Sequence, residues 1–348
     1  MASDANGQRP TLEAVAARAG VSRATVSRVV NGGAGVRDTV REKVRRAVAD
    51  LGYVPNNAAR ALVTRRTGAV AVVIAEPETR VFSDPFFGRQ LRGISRELSA
   101  ADTQLLLLFV THRADYDRIG RYLAAGHVDG ALMFSLHRDD PLPAMAADAG
   151  LPTVYGGRPG WPGAAREPHP LYVDTDNRDG ARQAVRHLVE RGRRRIAVIT
   201  GPLDQTSAID RLHGYRDVLA PAGLDPRLIA DGAFTAQGGE GAMARLLDAV
   251  PDLDAVFASS DLMAHGALRT LRARGRRVPD DVAVVGYDDL EPAAWADPPL
   301  TTVRQDVEEM GRLMAGLLLR RLGAQGSGGP APRPVITGAE LVIRESSG

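Results

Sequence analysis

The spacing of apolar positions changes abruptly along this 348-residue chain. Near the start, Leu12, Val15, Ala16 and Ala19 recur at helical spacing, which predicts a short helix over 11–19, capped by Thr11 and stopped by Gly20. Ser22 is the next N-cap candidate. A second helix runs from there to about Asn31, with Val26, Val29 and Val30 inward, and Asn31, Gly32 and Gly33 break it. A third covers 38–51, with Val40, Val44, Ala47, Val48 and Leu51 on one face and Gly52 at its end. Two short helices about a Gly-containing turn, crossed by a third, follow the helix-turn-helix plan. A plain three-helix bundle has the same count, but the outer face of helix two (Arg23, Ala24, Thr25, Ser27, Arg28) is polar and basic.

Residues 56–63 read as a short Ala-rich helical stretch and 65–68 as a linker. Beyond them, strand-length apolar runs at 69–75, 105–109, 131–134, 153–155, 196–200, 255–258 and 282–285 alternate with amphipathic segments near 86–100, 116–125, 178–191, 212–220, 239–249, 262–273 and 307–322. Near-continuous apolar strands between helices indicate parallel sheets covered on both faces. There are too many for one small sheet. The expected fold class is therefore α/β: a small all-α headpiece plus two doubly wound parallel-sheet lobes, with a ligand crevice beyond the carboxyl ends of the strands. The expected boundaries are 1–55 for the headpiece, 56–67 for the short helical stretch and linker, 68–170 plus 304–330 for one lobe, and 171–303 plus 331–348 for the other. No heptad run follows the Gly/Pro/Ser-rich stretch 324–334.

Charge sharpens this division. Residues 1–66 hold twelve basic and five acidic side chains, a balance of +7, whereas the remaining 282 residues hold 32 and 37, a balance of −5. A compact basic module is the footprint of a polyanion partner, because neutralising phosphates releases counterions; a solvated basic surface is the plainer reading. With no cysteine, disulfides, thiolate metal sites and a cysteine nucleophile are excluded. The first nine residues show no apolar signal-peptide core, and no apolar run approaches the ~20 residues of a membrane span, so a cytoplasmic protein without membrane contact is expected.

The residues of the first 63 positions closely resemble the headpiece of the lactose-repressor family of transcriptional regulators. The run Thr11 to Ala16, Ala19 to Ser22 and Ala24 to Asn31 carries the likeness, with Thr39 to Val44, Leu51 to Asn56 and Ala58 to Leu62. It extends over the body through Tyr155-Gly156-Gly157, Asp176-Asn177, Gly201-Pro202-Leu203, Ser207, Arg211, Ser260-Asp261, Val284 to Asp289 and Pro299 to Gln305. The resemblance implies two linked periplasmic-binding-protein-like lobes. It also implies that helix two enters the DNA major groove with Arg23 and Ala24 at base-reading positions and Arg28 as a third contact. Ser22, Thr25, Ser27 and Asn31 read as phosphate contacts or caps. Asn56, Ala59 and Leu62 fall on a hinge helix, Leu62 being the minor-groove wedge, although on its residues alone Leu62 reads as packing against the body.

The same resemblance places a small-molecule effector between the lobes, where carboxylates, amides and an arginine fork pair hydroxyls against an aromatic face. Arg211, Asp288 and Phe234 are the leading candidates. Ser207, Gln305 and Asp261 follow, the last reading equally as a cap of the next helix. Phe86 and Phe87, just after Asp84, read as ligand or core. Ser260 and Gly157 replace an Asn and an Asp of the galactoside-responsive branch, and Glu76 to Arg80 with Phe82, Pro85 and Phe87 is similar to cellobiose-type regulators. The implied function is a homodimeric repressor of carbohydrate-use genes, released from a pseudo-palindromic operator by a mono- or oligosaccharide, with no cofactor. A purine-responsive corepressed regulator and a sugar-binding transport protein are the alternatives. An enzyme built on Asp288 and Asp289 is a distant third, since the chain has no phosphate-binding loop and its seven histidines are scattered.

Overall fold

The computed structural model describes residues 10–30, 33–54, 66–163, 170–324 and 332–348, and the chain divides into a unit of residues 1–67 and one of residues 68–348. In the first unit, α1 (Leu12–Ala19), α2 (Arg23–Val30) and α3 (Asp38–Leu51) enclose Val15, Val26 and Val44, which are fully buried, with Ala16, Val29, Ala47 and Tyr53 around them. Burying each valine contributes roughly 1.5–3 kcal/mol, which stabilises helices too short to persist alone. Local chemistry sets their ends. Thr11 accepts from the Ala14 N–H at 3.2 Å, Gly20 ends α1 at φ 66°, and Ser22 accepts from the Thr25 N–H at 3.2 Å. Arg37 precedes α3 without a side-chain cap; Asp38 places a negative charge in the first turn instead.

The second unit holds two six-stranded sheets. The strands are β1 (Ala69–Ile74), β2 (Gln104–Phe109), β3 (Gly130–Phe134), β4 (Thr153–Gly156), β5 (Leu171–Thr175), β6 (Ile196–Thr200), β7 (Ile229–Asp231), β8 (Ala255–Ala258), β9 (Ala283–Asp288), β10 (Thr301–Arg304), β11 (Val335–Thr337) and β12 (Glu340–Val342). The first sheet runs β11-β5-β4-β3-β1-β2 with every pair parallel. The second runs β12-β10-β9-β8-β6-β7, parallel except where β12 pairs antiparallel with β10. Central strands such as β6 and β8 are buried along their whole length, as parallel strands covered on both faces must be.

The lobe boundaries differ from those expected. Leu171–Thr175 pairs with β4 and Val335–Thr337 pairs with β5, so both belong to the first sheet. The chain passes between lobes after Thr175, after Arg304 and after Thr337, because pairing along each sheet edge, and not the local apolar pattern, assigns these strands. The short helices Glu78–Ser83, Leu142–Asp148 and Glu291–Ala294 were also not predicted. They span at most two turns, too short to show a period.

On the first sheet, the helix Pro85–Ala100 crosses the helix Val307–Ala324 at Gly93 and Gly311. A Cβ on Gly93 would collide with the Glu308 carbonyl, and one on Gly311 with that of Gln90. The two backbones meet there, which fixes Gln90 against the sheet.

Candidate functional site

The three crossovers are tied together. Thr175 Oγ1 donates to Gln305 Oε1 at 3.0 Å and lies 3.2 Å from Thr337 Oγ1, and Thr337 Oγ1 donates to the Asp174 carbonyl at 3.3 Å. Above them, at the carboxyl ends of both sheets, lies a cavity. This is the crevice that the doubly wound topology provides.

Seven expected ligand residues line it: Phe86, Phe87, Ser207, Arg211, Phe234, Asp288 and Gln305. Arg211, only 5% exposed, organises the second-lobe wall. Its Nε donates to Asn177 Oδ1 at 2.8 Å and one Nη to the Ser259 carbonyl at 2.5 Å. Its guanidinium stacks 3.6 Å from the centre of the Tyr287 ring and lies 3.6 Å from an Asp288 oxygen. Gln305 Nε2 donates to the same Asp288 oxygen at 2.6 Å. Phe234 sits at φ 54° and Asp288 at φ 114°, left-handed values that non-glycine residues adopt at a cost and that cluster at ligand sites. Phe234 needs Gly201 beside it, since a Cβ there would collide with the ring.

The phenylalanine pair is both part of the first-lobe core and part of the cavity wall. Phe87 is buried in the first-lobe core, stacked 6.2 Å from Phe134, and Phe86 is half-buried, yet each presents an edge to the cavity. Asp84 caps their helix by accepting from the Phe86 N–H at 2.9 Å. Asp261 departs from expectation: it does not line the cavity. Ser260 performs the capping, accepting from Met263 N–H, while Asp261 accepts from Thr302 Oγ1 at 2.6 Å and Leu290 N–H at 2.8 Å beneath the floor.

Burial raises the Asp288 and Asp261 carboxyls well above the usual range; Arg211 opposes this at Asp288, and Asp288 adds to it at Asp261. Burial also pushes Asp174 up to about 6. Facing them from the first lobe, Arg80 lies 5.9 Å from the centres of both Phe87 and Phe234, which belong to different lobes. The result is a chamber with carboxyls, amides and two guanidiniums around aromatic faces, the donor set for a hydroxyl-rich molecule.

Several lining residues were not among the expected ligand residues: Arg80, Gln90, Asp174, Asn177 and Gln205. Gln90 stands three and four residues after Phe87 and Phe86, so helical spacing could have found it. Asp174, Asn177 and Gln205 carry no such signal.

In the headpiece, Ser22, Arg23, Ala24 and Arg28 are exposed on or beside α2, while Thr25 and Ser27 are half-buried. Arg23 Nε lies 3.1 Å from Glu13 Oε1 in an exposed pair. The Arg28 stem packs on Gly33. Asn31, Asn56, Ala59 and Leu62 lie outside the described residues.

Comparison with known proteins bears on the family and the fold. Residues 11–56 match the profile described as bacterial regulatory proteins, lacI family, and residues 185–347 match a periplasmic binding protein-like domain. The chain is 51% identical over 342 residues to the HTH-type transcriptional regulator CelR of Thermobifida fusca, covering 97% of this chain and 98% of that one. A solved transcriptional regulator CelR–cellobiose complex is similar with a TM-score of 0.76 and 50% identity, covering 97% and 100% of the two chains. The lac repressor dimer bound to operator and the anti-inducer ONPF is similar with a TM-score of 0.83 and 28% identity, covering 98% and 99%. Among the described residues no helix is long and apolar enough to cross a membrane.

Proposed function

The chain belongs to the lacI family of bacterial regulatory proteins and is a DNA-binding transcriptional regulator; from that premise we propose that it represses carbohydrate-use genes in the cytoplasm as a homodimer, and leaves its operator when a β-linked glucose disaccharide fills the cavity between its lobes. The observation that carries this reading is the Arg211 constellation. One buried guanidinium, ordered by Asn177, Ser259 and Asp288, faces a chamber with the Phe234 ring beside it. The ligand class follows from that hydroxyl-pairing donor set and from the cellobiose bound by the similar CelR structure. Exposed Arg23 and Arg28 would read guanine edges, Ala24 would offer an apolar contact, and Ser22, Thr25 and Ser27 would position α2 on phosphates.

In this reading Asp288 and Asp289 serve binding and structure. Asp288 is engaged by Gln305, and Asp289 is paired with Arg304 at 2.7 Å and Arg344 at 2.6 Å. Two-fold symmetry of a dimer calls for a pseudo-palindromic operator. Coupling between effector and DNA in such a system is typically 1–3 kcal/mol and is reciprocal.

The test begins by selecting an operator from a random duplex pool on the purified protein. Cellobiose should then weaken operator binding roughly 5- to 150-fold, while galactosides and purines leave it unchanged. Operator binding tightened by a purine would replace this reading with the corepressor one. A protein to which no sugar binds in calorimetry would remove the effector assignment.

A further inference from the structure

The space between the lobes does not end at the Arg211 chamber. A second chamber adjoins it, and Gly156, Gly157, Gln205 and Ser207 wall both. Gly157 lies at φ 99° with open space where a side chain would begin, so the junction is clear because this residue has none. Trp161 walls the outer chamber. Its ring packs against Tyr155 at 4.7 Å between centroids, and Tyr155 is buried in the first-lobe core. The indole is therefore a plate backed by the sheet.

The polar rim comes from both lobes. His137 Nδ1 lies 2.9 Å from Asp204 Oδ2, and Arg158 holds Asp210 at 2.7 Å. Thr206 Oγ1 donates to the Arg158 carbonyl at 2.7 Å. His137 and Arg158 are already paired, and Arg138 also lines the chamber, so the rim offers donors and acceptors suited to a hydroxyl-bearing ring.

We propose that the outer chamber is a second saccharide subsite: one pyranose ring occupies the Arg211 chamber, and the next passes Gly157 and stacks on Trp161. Ligand length is then read at Trp161. The inference rests on the sugar-effector reading above and deepens it by assigning the second ring.

The chain has two tryptophans, Trp161 and Trp295, and Trp295 is 75% exposed outside both chambers. Trp295→Phe in the full-length protein leaves Trp161 as the sole indole reporter. Cellobiose should shield Trp161 from acrylamide quenching, whereas saturating glucose should not. In parallel calorimetry, Trp161→Ala should cut cellobiose affinity at least about tenfold and leave glucose binding unchanged. Cellobiose binding that leaves Trp161 as quenchable as before, or equal shielding by glucose, overturns the subsite and leaves the effector reading standing. Failure of cellobiose to bind at all overturns both. If Trp161→Ala does not fold by circular dichroism, the quenching result on Trp295→Phe still decides.

Discussion

Arg158 of the first lobe holds Asp210 of the second, one guanidinium nitrogen lying 2.8 and 2.7 Å from the two carboxylate oxygens. The contact crosses the cleft mouth beside His137 and Asp204, and on another part of the interface Arg89 donates to the Asp289 carbonyl at 3.0 Å. These bridges hold the lobes in the arrangement that encloses the cavity. The Arg158 and Asp210 side chains are 44% and 20% exposed, so the pair contributes only about 0.2–1 kcal/mol. Asp210→Ala should raise the effector Kd roughly two- to fivefold in calorimetry while the urea midpoint barely moves. An unchanged Kd would show that the clasp plays no part in closure.

Arg211 is a different case, because it is buried. Arg211→Ala leaves Asp288 and the Asn177 amide oxygen without their cation and donor. Removing one member of a buried pair costs about 3–5 kcal/mol. Urea unfolding should show a loss of that order, and effector binding should vanish. Arg211→Lys should recover part of the stability but little binding, since an ammonium cannot reproduce the fork. Wild-type stability in the alanine variant would contradict the role assigned to this residue.

His137 carries a pH signature. The buried Glu76 carboxylate, 3.6 Å away, raises its pKa most; burial opposes this, and the nearer but more exposed Asp204 adds to the rise, to about 9. Arg80, Ser135 and Gln205 also face Glu76. A histidine raised in the folded state contributes stability that is fully present below its unfolded value near 6.5 and is lost as pH rises through about 9. The thermal midpoint of the wild type should therefore decline over that window relative to His137→Gln. Parallel pH profiles of the two proteins would rule the effect out.

In the headpiece, Arg23 spans only an exposed contact with Glu13, so leaving it for a base costs little. Arg23→Ala should weaken operator binding roughly 5- to 150-fold, with a smaller loss on unrelated DNA. Glu13→Ala should leave operator affinity equal or higher. Fluorescence anisotropy on both duplexes measures this, and equal losses on the two would reduce Arg23 to a phosphate contact.

What the sequence determined by itself is local. Helical spacing and capping residues located α1, α2 and α3, and continuous apolar runs located β1, β6 and β8, because each depends on neighbours a few positions away. Arg211, Asp288, Phe234 and Gln305 were legible through the family likeness of their motifs. Only the tertiary structure decided which strands belong to which lobe. Val335 pairs with Val173, and no local pattern encodes a partner so distant. The same holds for Gln90, Gln205 and Trp161, ordinary polar or isolated aromatic residues in sequence. They become cavity walls because two sheets, tied at three crossovers, bring their carboxyl ends together.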